Sequence, residues 1–275
     1  MRPDGRSAHA GAGADDVLAF ESQGTGPPLV MLNGFAATKD DWDPTLLAAL
    51  GESSELVRAD HRGVGGSPGF DGSFSIEDLA LDAAGLIEAL GLGRPAVLGW
   101  SMGGFVALAL ALARPDLVGR LILLSTSPGG GAATRAAPEV RDRLHDFSGT
   151  PAEQASRLIS LLFGPARAAE MEAEFGEIVA AARAEFPVEV AAAQWEAMEA
   201  WEENGAGDRL DQIACPTLVA TGTEDVVIPA ANALTLATAI PGAWLARFPH
   251  SGHAFVADHP RSLAKLIGAF LDSPR

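Results

Sequence analysis

Short, continuous apolar runs recur along the chain: PLVMLNG (28–34), ELVRAD (55–60), PAVLGW (95–100), RLILLST (120–126), PTLVATG (216–222) and AWLARFP (243–249). Each is bounded by Gly, Pro or polar residues. Apolar on every position rather than every second one, they predict strands covered on both faces, as in a parallel sheet. Between them the period changes to that of a helix. DWDPTLLAALG ends at Gly51, and SIEDLALDAAGLIEALG starts on a Ser75 cap and stops at Gly91. MGGFVALALALARP, PAANALTLATAIPG and PRSLAKLIGAFLD complete the set. Alternation of strand and helix predicts a doubly wound α/β core.

The alternation fails between 128 and 210. That stretch is rich in Ala and Glu, carries helical period and no strand signal, and is punctuated by Pro151, Pro165, Pro187 and Gly205. It predicts an insertion of three or four helices lying over one edge of the sheet. The expected division is therefore a core of 1–127 and 211–275 and a helical insertion of 128–210. Residues 1–15 are expected to form a flexible tail.

One junction asks for more than packing. In LGWSMGGFVALALAL (98–112) a strand ends at Gly99-Trp100-Ser101-Met102-Gly103 and a helix begins. This is G-x-S-x-G in a strand–turn–helix context, which turns a short pattern into a candidate nucleophile elbow. Glycines admit the tight turn, and the helix N-terminus favours negative charge developing beside Ser101. A serine hydroxyl needs a base. Of six histidines, His250 and His253 follow the last strand in FPHSGHAF, and His253, after Gly252, is the better placed to reach back over the sheet edge. The base needs a carboxylate. TGTEDVVIP (221–229) offers Glu224 and Asp225, with Asp225 favoured by the Gly-x-x-Asp spacing. Two backbone N–H groups should face the developing oxyanion: that of Met102, and that of Phe35 in the loop after the first predicted strand.

Composition narrows the partners. Thirty-six acids against 19 bases give a net charge of −17, which argues against nucleic acid and against an anionic membrane surface. No apolar run reaches a membrane-spanning length, and the N-terminus lacks the apolar core of a signal peptide, so a cytoplasmic location is expected. A single cysteine, Cys215, precludes an intramolecular disulfide. The expected partner is a small-molecule substrate; oligomeric state is open.

Together these residues resemble the α/β-hydrolase superfamily, in its cap-bearing branch, over about 20–273. NGF stands where that family usually has His-Gly-x, with Asn33 replacing the common His, and GWSMGG resembles its nucleophile elbow. DHRGVGGS (60–67) is similar to its D-x-R-G-x-G-x-S turn, which implies that Asp60 and Arg62 brace the oxyanion loop. GTEDVVIP and SGHAF are similar to its acid and histidine loops. At subfamily level the chain resembles 3-oxoadipate enol-lactonases and cofactor-free haloperoxidase-type esterases. Dehalogenases and epoxide hydrolases of the superfamily carry Asp at the elbow, and the latter also use cap tyrosines. This chain has Ser101 and no tyrosine.

The expected activity is a serine hydrolase cleaving a carboxylic ester, lactone or thioester of a small to medium apolar substrate through an acyl-enzyme, with no metal or organic cofactor. Carbon–carbon bond hydrolysis of a vinylogous diketone and ligand binding without turnover are the rivals. For the substrate pocket the candidates are Trp42, Trp100, Phe105, Trp195, Met198 and Trp201. The last three recur at helical spacing and also suit packing of the insertion on the core. The insertion's Arg141, Arg143, Arg157, Arg167 and Arg183 read as surface charges paired with nearby acids, or as carboxylate binders.

Overall fold

The computed structural model describes residues 6–8, as backbone, and 18–274. Eight strands form one sheet: β1 (Arg6–Ala8), β2 (Phe20–Gly24), β3 (Pro28–Leu32), β4 (Glu55–Ala59), β5 (Ala96–Trp100), β6 (Arg120–Leu124), β7 (Thr217–Gly222) and β8 (Trp244–Phe248). Their order is β1-β2-β4-β3-β5-β6-β7-β8. The pairs β1–β2 and β2–β4 are antiparallel and every other pair is parallel.

All six predicted strands are present. β1 and β2 were not predicted. β2 reads FESQG, too polar to look like a buried strand, yet it pairs along its whole length with β4. β1 falls within the expected flexible tail; the rest of that tail lies outside the described residues. β8 departs from its prediction in another way. It is the sheet edge, and Trp244 and Leu245 are exposed.

Strands β3 to β7 bury both faces, and their side chains alternate between two apolar layers. On β3, Val30 and Leu32 join one layer while Leu29 and Met31 join the other. The first layer packs under α2 (Ile76–Ala89), α3 (Met102–Ala113) and α8 (Ala231–Ala239). The second packs under α1 (Pro44–Gly51) and α10 (Pro260–Leu271), preceded by the short α9 (Phe255–Asp258). Caps set the helix starts. Ser75 and Asp78 form a capping box on α2, and Asp43 accepts the Leu46 N–H at 2.8 Å on α1.

Between β6 and β7 the chain runs through α4 (Pro138–Leu144), α5 (Pro151–Leu162), α6 (Pro165–Glu185) and α7 (Val188–Asn204). Pro151 and Pro165 each occupy the first turn of their helix, where a missing N–H costs nothing. Pro187 precedes α7 and Gly205 closes it.

Candidate active site

Ser101 sits where β5 passes into α3. Its backbone takes φ 57° and ψ −122°, a region that an L-residue occupies only under constraint. The constraint is close packing of backbone on backbone. A Cβ on Gly99 would overlap the Gly103 carbonyl oxygen, and one on Gly103 would overlap that of Leu32. Both glycines are thus required by contact. The Ser101 N–H donates to Leu124 O at 2.9 Å and its carbonyl accepts from Thr126 Oγ1 at 2.9 Å. Ser101 Oγ makes no hydrogen bond to a described residue, and Ser101 and His253 line one cavity.

His253 is buried, and its Nδ1 lies 2.8 Å from Asp225 Oδ2. Asp225 is fixed in turn: its Oδ1 accepts the Val227 N–H at 3.0 Å and the Ile228 N–H at 2.9 Å. The rival pair lies apart. His250 is exposed and contacts Glu224 Oε1 at 3.2 Å on the surface. The Trp100 ring stands 5.5 Å from the His253 ring, and its indole N–H donates to His253 O at 3.3 Å. The histidine loop is also tied to the insertion, through the Ala254 N–H donating to Leu162 O at 3.1 Å.

The N–H groups of Phe35 and Met102 donate to no described residue. The loop carrying Phe35 presses on Ser101 at Gly34 and is held at several points. Asn33 accepts the Gly34 N–H at 2.8 Å and donates to Thr38 O at 2.6 Å, so it staples the loop across its base. His61 Nε2 lies 3.0 Å from Asn33 O; burial pushes its imidazole below the ordinary 6.5. Asp60 accepts the Lys39 N–H at 2.7 Å, and burial raises its carboxyl above the usual range. Gln194 of α7, fully buried, accepts the Ala36 N–H at 2.8 Å.

Arg62 does not brace this loop. It forms a two-point ion pair with Asp82 of α2, both contacts 2.6 Å. Arg58 on β4 contacts the loop instead, donating to Lys39 O at 2.8 Å.

The cavity has a volume of about 690 Å³. Trp42 and Trp100 line it with Phe35, Ser101 and His253. Phe105, Trp195, Met198 and Trp201 are not among its lining residues. Phe105 stacks on Trp201, with centroids 5.8 Å apart, and Trp201 donates to Ser127 O. Trp195 packs edge-on against Phe35 and stacks on His145, and Met198 is buried in the core. The helical spacing of these three marks the seam between α7 and the core. The opposite wall comes from α5 and α6, through Ile159, Leu162, Phe163, Met171, Val179 and Arg183. The apolar face of α5 carried a readable signal for this wall; α6 did not. Among the described residues, no cluster of three or more His, Cys, Asp or Glu side chains is arranged to hold a metal ion. No described helix is long and apolar enough to cross a membrane.

The family model for the alpha/beta hydrolase fold matches residues 27–260. The chain belongs to the α/β-hydrolase family. It is a hydrolase of that superfamily, and relatives span its length. RutD of Azorhizobium caulinodans, whose name assigns it carbamate hydrolysis, is 30% identical over 258 residues, covering 94% of this chain and 96% of that one. A thermophilic esterase from Thermogutta terrifontis superposes with a TM-score of 0.78 at 30% identity, over 92% of each chain. The enol-lactonase from Burkholderia xenovorans LB400 superposes with a TM-score of 0.80 at 26% identity, over 93% of this chain and 96% of that one.

Proposed function

We propose that this α/β-hydrolase is a serine hydrolase cleaving a carboxylic ester, lactone or thioester of small to medium size through an acyl-enzyme. The carrying observation is the convergence of Ser101 and His253 on one cavity, with His253 Nδ1 2.8 Å from a buried Asp225. Ser101 Oγ attacks the carbonyl carbon and His253 Nε2 takes its proton. Asp225 holds Nδ1–H and stabilises the imidazolium. The N–H groups of Phe35 and Met102 receive the oxyanion at the N-terminus of α3, an arrangement worth several kcal/mol in such sites. Collapse expels the leaving group, which takes the proton from His253. A water then attacks the acyl carbonyl and gives its proton to His253; collapse frees the acid, and Ser101 Oγ takes the proton back from His253. Residues 128–210 act as a cap that closes the cavity and sets specificity. No metal or organic cofactor enters these steps, and the chemistry suits the cytoplasm.

The esterase and lactonase neighbours support acyl transfer at an ester-type carbonyl. The RutD relative adds carbamates, whose carbonyl would undergo the same addition, so a carbamate belongs beside the esters in a substrate panel.

Intact-protein mass after fluorophosphonate treatment, followed by peptide mapping, tests the reading. A single adduct on Ser101, absent in His253→Ala, is expected. A folded protein without adduct or ester turnover would overturn it in favour of ligand binding. Turnover of a dienoate diketone in place of esters would move the chemistry to carbon–carbon hydrolysis.

A further inference from the structure

The insertion's arginines divide into two kinds. Arg141 pairs with Glu199, Arg157 with Asp146 at 3.4 Å, and Arg167 with Glu170 and Asp258 at 3.0 and 3.2 Å. Arg143 is on the surface and donates to Ser160 Oγ at 2.8 Å. Arg183, in the last turn of α6, is different. It is 7% exposed, its Nε is buried without a partner, and it has no ion pair among the described residues. Its guanidinium lies over the Phe147 ring, 3.9 Å from the centroid. Phe147 meets Phe35 edge-on at 6.1 Å. Two ring contacts thus connect this cation to the loop beside Ser101, and Arg183 lines the same cavity as Ser101 and His253.

A buried charge without an acid is costly, and proteins pair such charges almost without exception. The ring face and the C-terminal end of α6 offset part of that cost, but neither satisfies the N–H fork of a guanidinium, whose geometry matches a carboxylate. Burial lowers the Arg183 pKa to about 10, helped by the nearby Arg157 charge, so the group stays cationic at neutral pH. The acids around the cavity are otherwise engaged or exposed. Asp40 meets Lys39 and Arg58, Asp41 accepts from Thr38, Asp43 caps α1, and Glu174 is exposed.

We propose that Arg183 is a substrate-binding residue for a carboxylate: the natural substrate is an ester, lactone or thioester that carries a free carboxylate remote from the scissile carbonyl. This rests on Ser101 as the nucleophile and names the substrate class that its cavity takes. The apolar side chains of α5 and α6 cover the chain between the two ends, and Arg183 fixes the far end by a two-point contact. Neutral esters of equal length bind without that contact.

The test uses p-nitrophenyl half-esters of dicarboxylic acids from succinic to suberic, each against the neutral p-nitrophenyl ester of equal chain length. In the wild type the best half-ester exceeds its neutral counterpart in kcat/KM. In Arg183→Met that ratio falls by about 100-fold, the scale of a charge-assisted two-point contact, mainly through KM. Arg183→Lys, which keeps the charge and the stem, retains part of the preference and guards against misfolding. The free dicarboxylate of the best chain length is a second probe. It raises the Tm of the wild type and of Ser101→Ala, and does not raise that of Arg183→Met. An unchanged ratio in Arg183→Met, or a Tm response that survives in it, would overturn the carboxylate site while fluorophosphonate labelling left the nucleophile standing. No labelling together with an Arg183-dependent Tm response would overturn the nucleophile and keep the carboxylate site.

Discussion

Asp225→Asn is the substitution whose effect the geometry defines most sharply. Asp225 presents one oxygen to two donors, the N–H groups of Val227 and Ile228, and the other to His253 Nδ1. An asparagine amide must choose an orientation. Turning its NH2 toward Val227 and Ile228 would set donor against donor twice in a buried site, at about 1–3 kcal/mol for each unsatisfied N–H. The amide therefore keeps its oxygen there and points NH2 at His253. Nδ1 must then accept, which places the imidazole proton on Nε2, facing Ser101. The base is held in the tautomer that cannot take the serine proton. The same change in a serine protease triad costs about 10⁴-fold, equivalent to about 5.4 kcal/mol of barrier, and a loss of that order is expected here with little change in Tm. Steady-state kcat/KM on a p-nitrophenyl ester, with thermal melts in parallel, measures both. A loss below about tenfold would refute the assignment of Asp225 as the orienting acid.

Other outcomes follow from the same contacts. Gly103→Ala forces a Cβ into the Leu32 carbonyl; we expect destabilisation of about 3 kcal/mol or more and a Tm lower by roughly 6–12 °C, read by thermal melts. His61 is buried with its pKa below 6.5, so the folded state stays neutral while the unfolded chain takes up a proton. The stability this group contributes is present above pH 6.5 and is lost as pH falls from 6.5 toward the folded pKa. The slope is at most about 1.4 kcal/mol per pH unit, and denaturation of His61→Gln between pH 7 and 5 should be less steep by that amount. Arg62→Ala breaks a partly exposed pair on α2 and should lower stability by about 1 kcal/mol with kcat/KM retained. Asp60→Ala, which releases the Lys39 N–H in the loop beside Ser101, should lower kcat; equal kinetics in the two variants would contradict the placement of Arg62.

The parallel core was legible because burial on both faces leaves one mark, continuous apolar residues; the run at β8 carried the same mark although that strand is an exposed sheet edge. β2 escaped since a strand paired through its backbone, here with β1 on one side and β4 on the other, does not need apolar side chains: Ser22 and Gln23 pair with β4 as well as valine would. The tight turn at Ser101 was legible because two glycines are required by contact at fixed spacing. Arg62 misled, since the resemblance of its turn to a family motif does not say which way a side chain leaves that turn. The aromatic spacing of α7 gave a true signal of burial and a false one of pocket lining, because a helix buries the same stripe whether the far side is core or cavity. Arg183 was indistinguishable from the other arginines in its stretch. What separates it is burial with no ion-pair partner among the described residues, a property of three-dimensional neighbours.

The bond from Ala254 N–H to Leu162 O carries a consequence for traffic through the site. It joins the end of α5 to the residue after His253, and Gly252 is packed so closely on the same carbonyl that a Cβ there would press against it. A swing of α5 away from the sheet would break this latch and loosen the histidine loop. With His253 as the base proposed above, wide opening and a correctly aimed base would be mutually exclusive. Turnover needs either a narrow passage past the side chains of α6, where Ile178 stands exposed at the cavity rim, or a cycle in which the enzyme disarms whenever the door is open and rearms as it shuts. In the second case water reaching an open site would meet no activated nucleophile, and the latch would double as a safety catch.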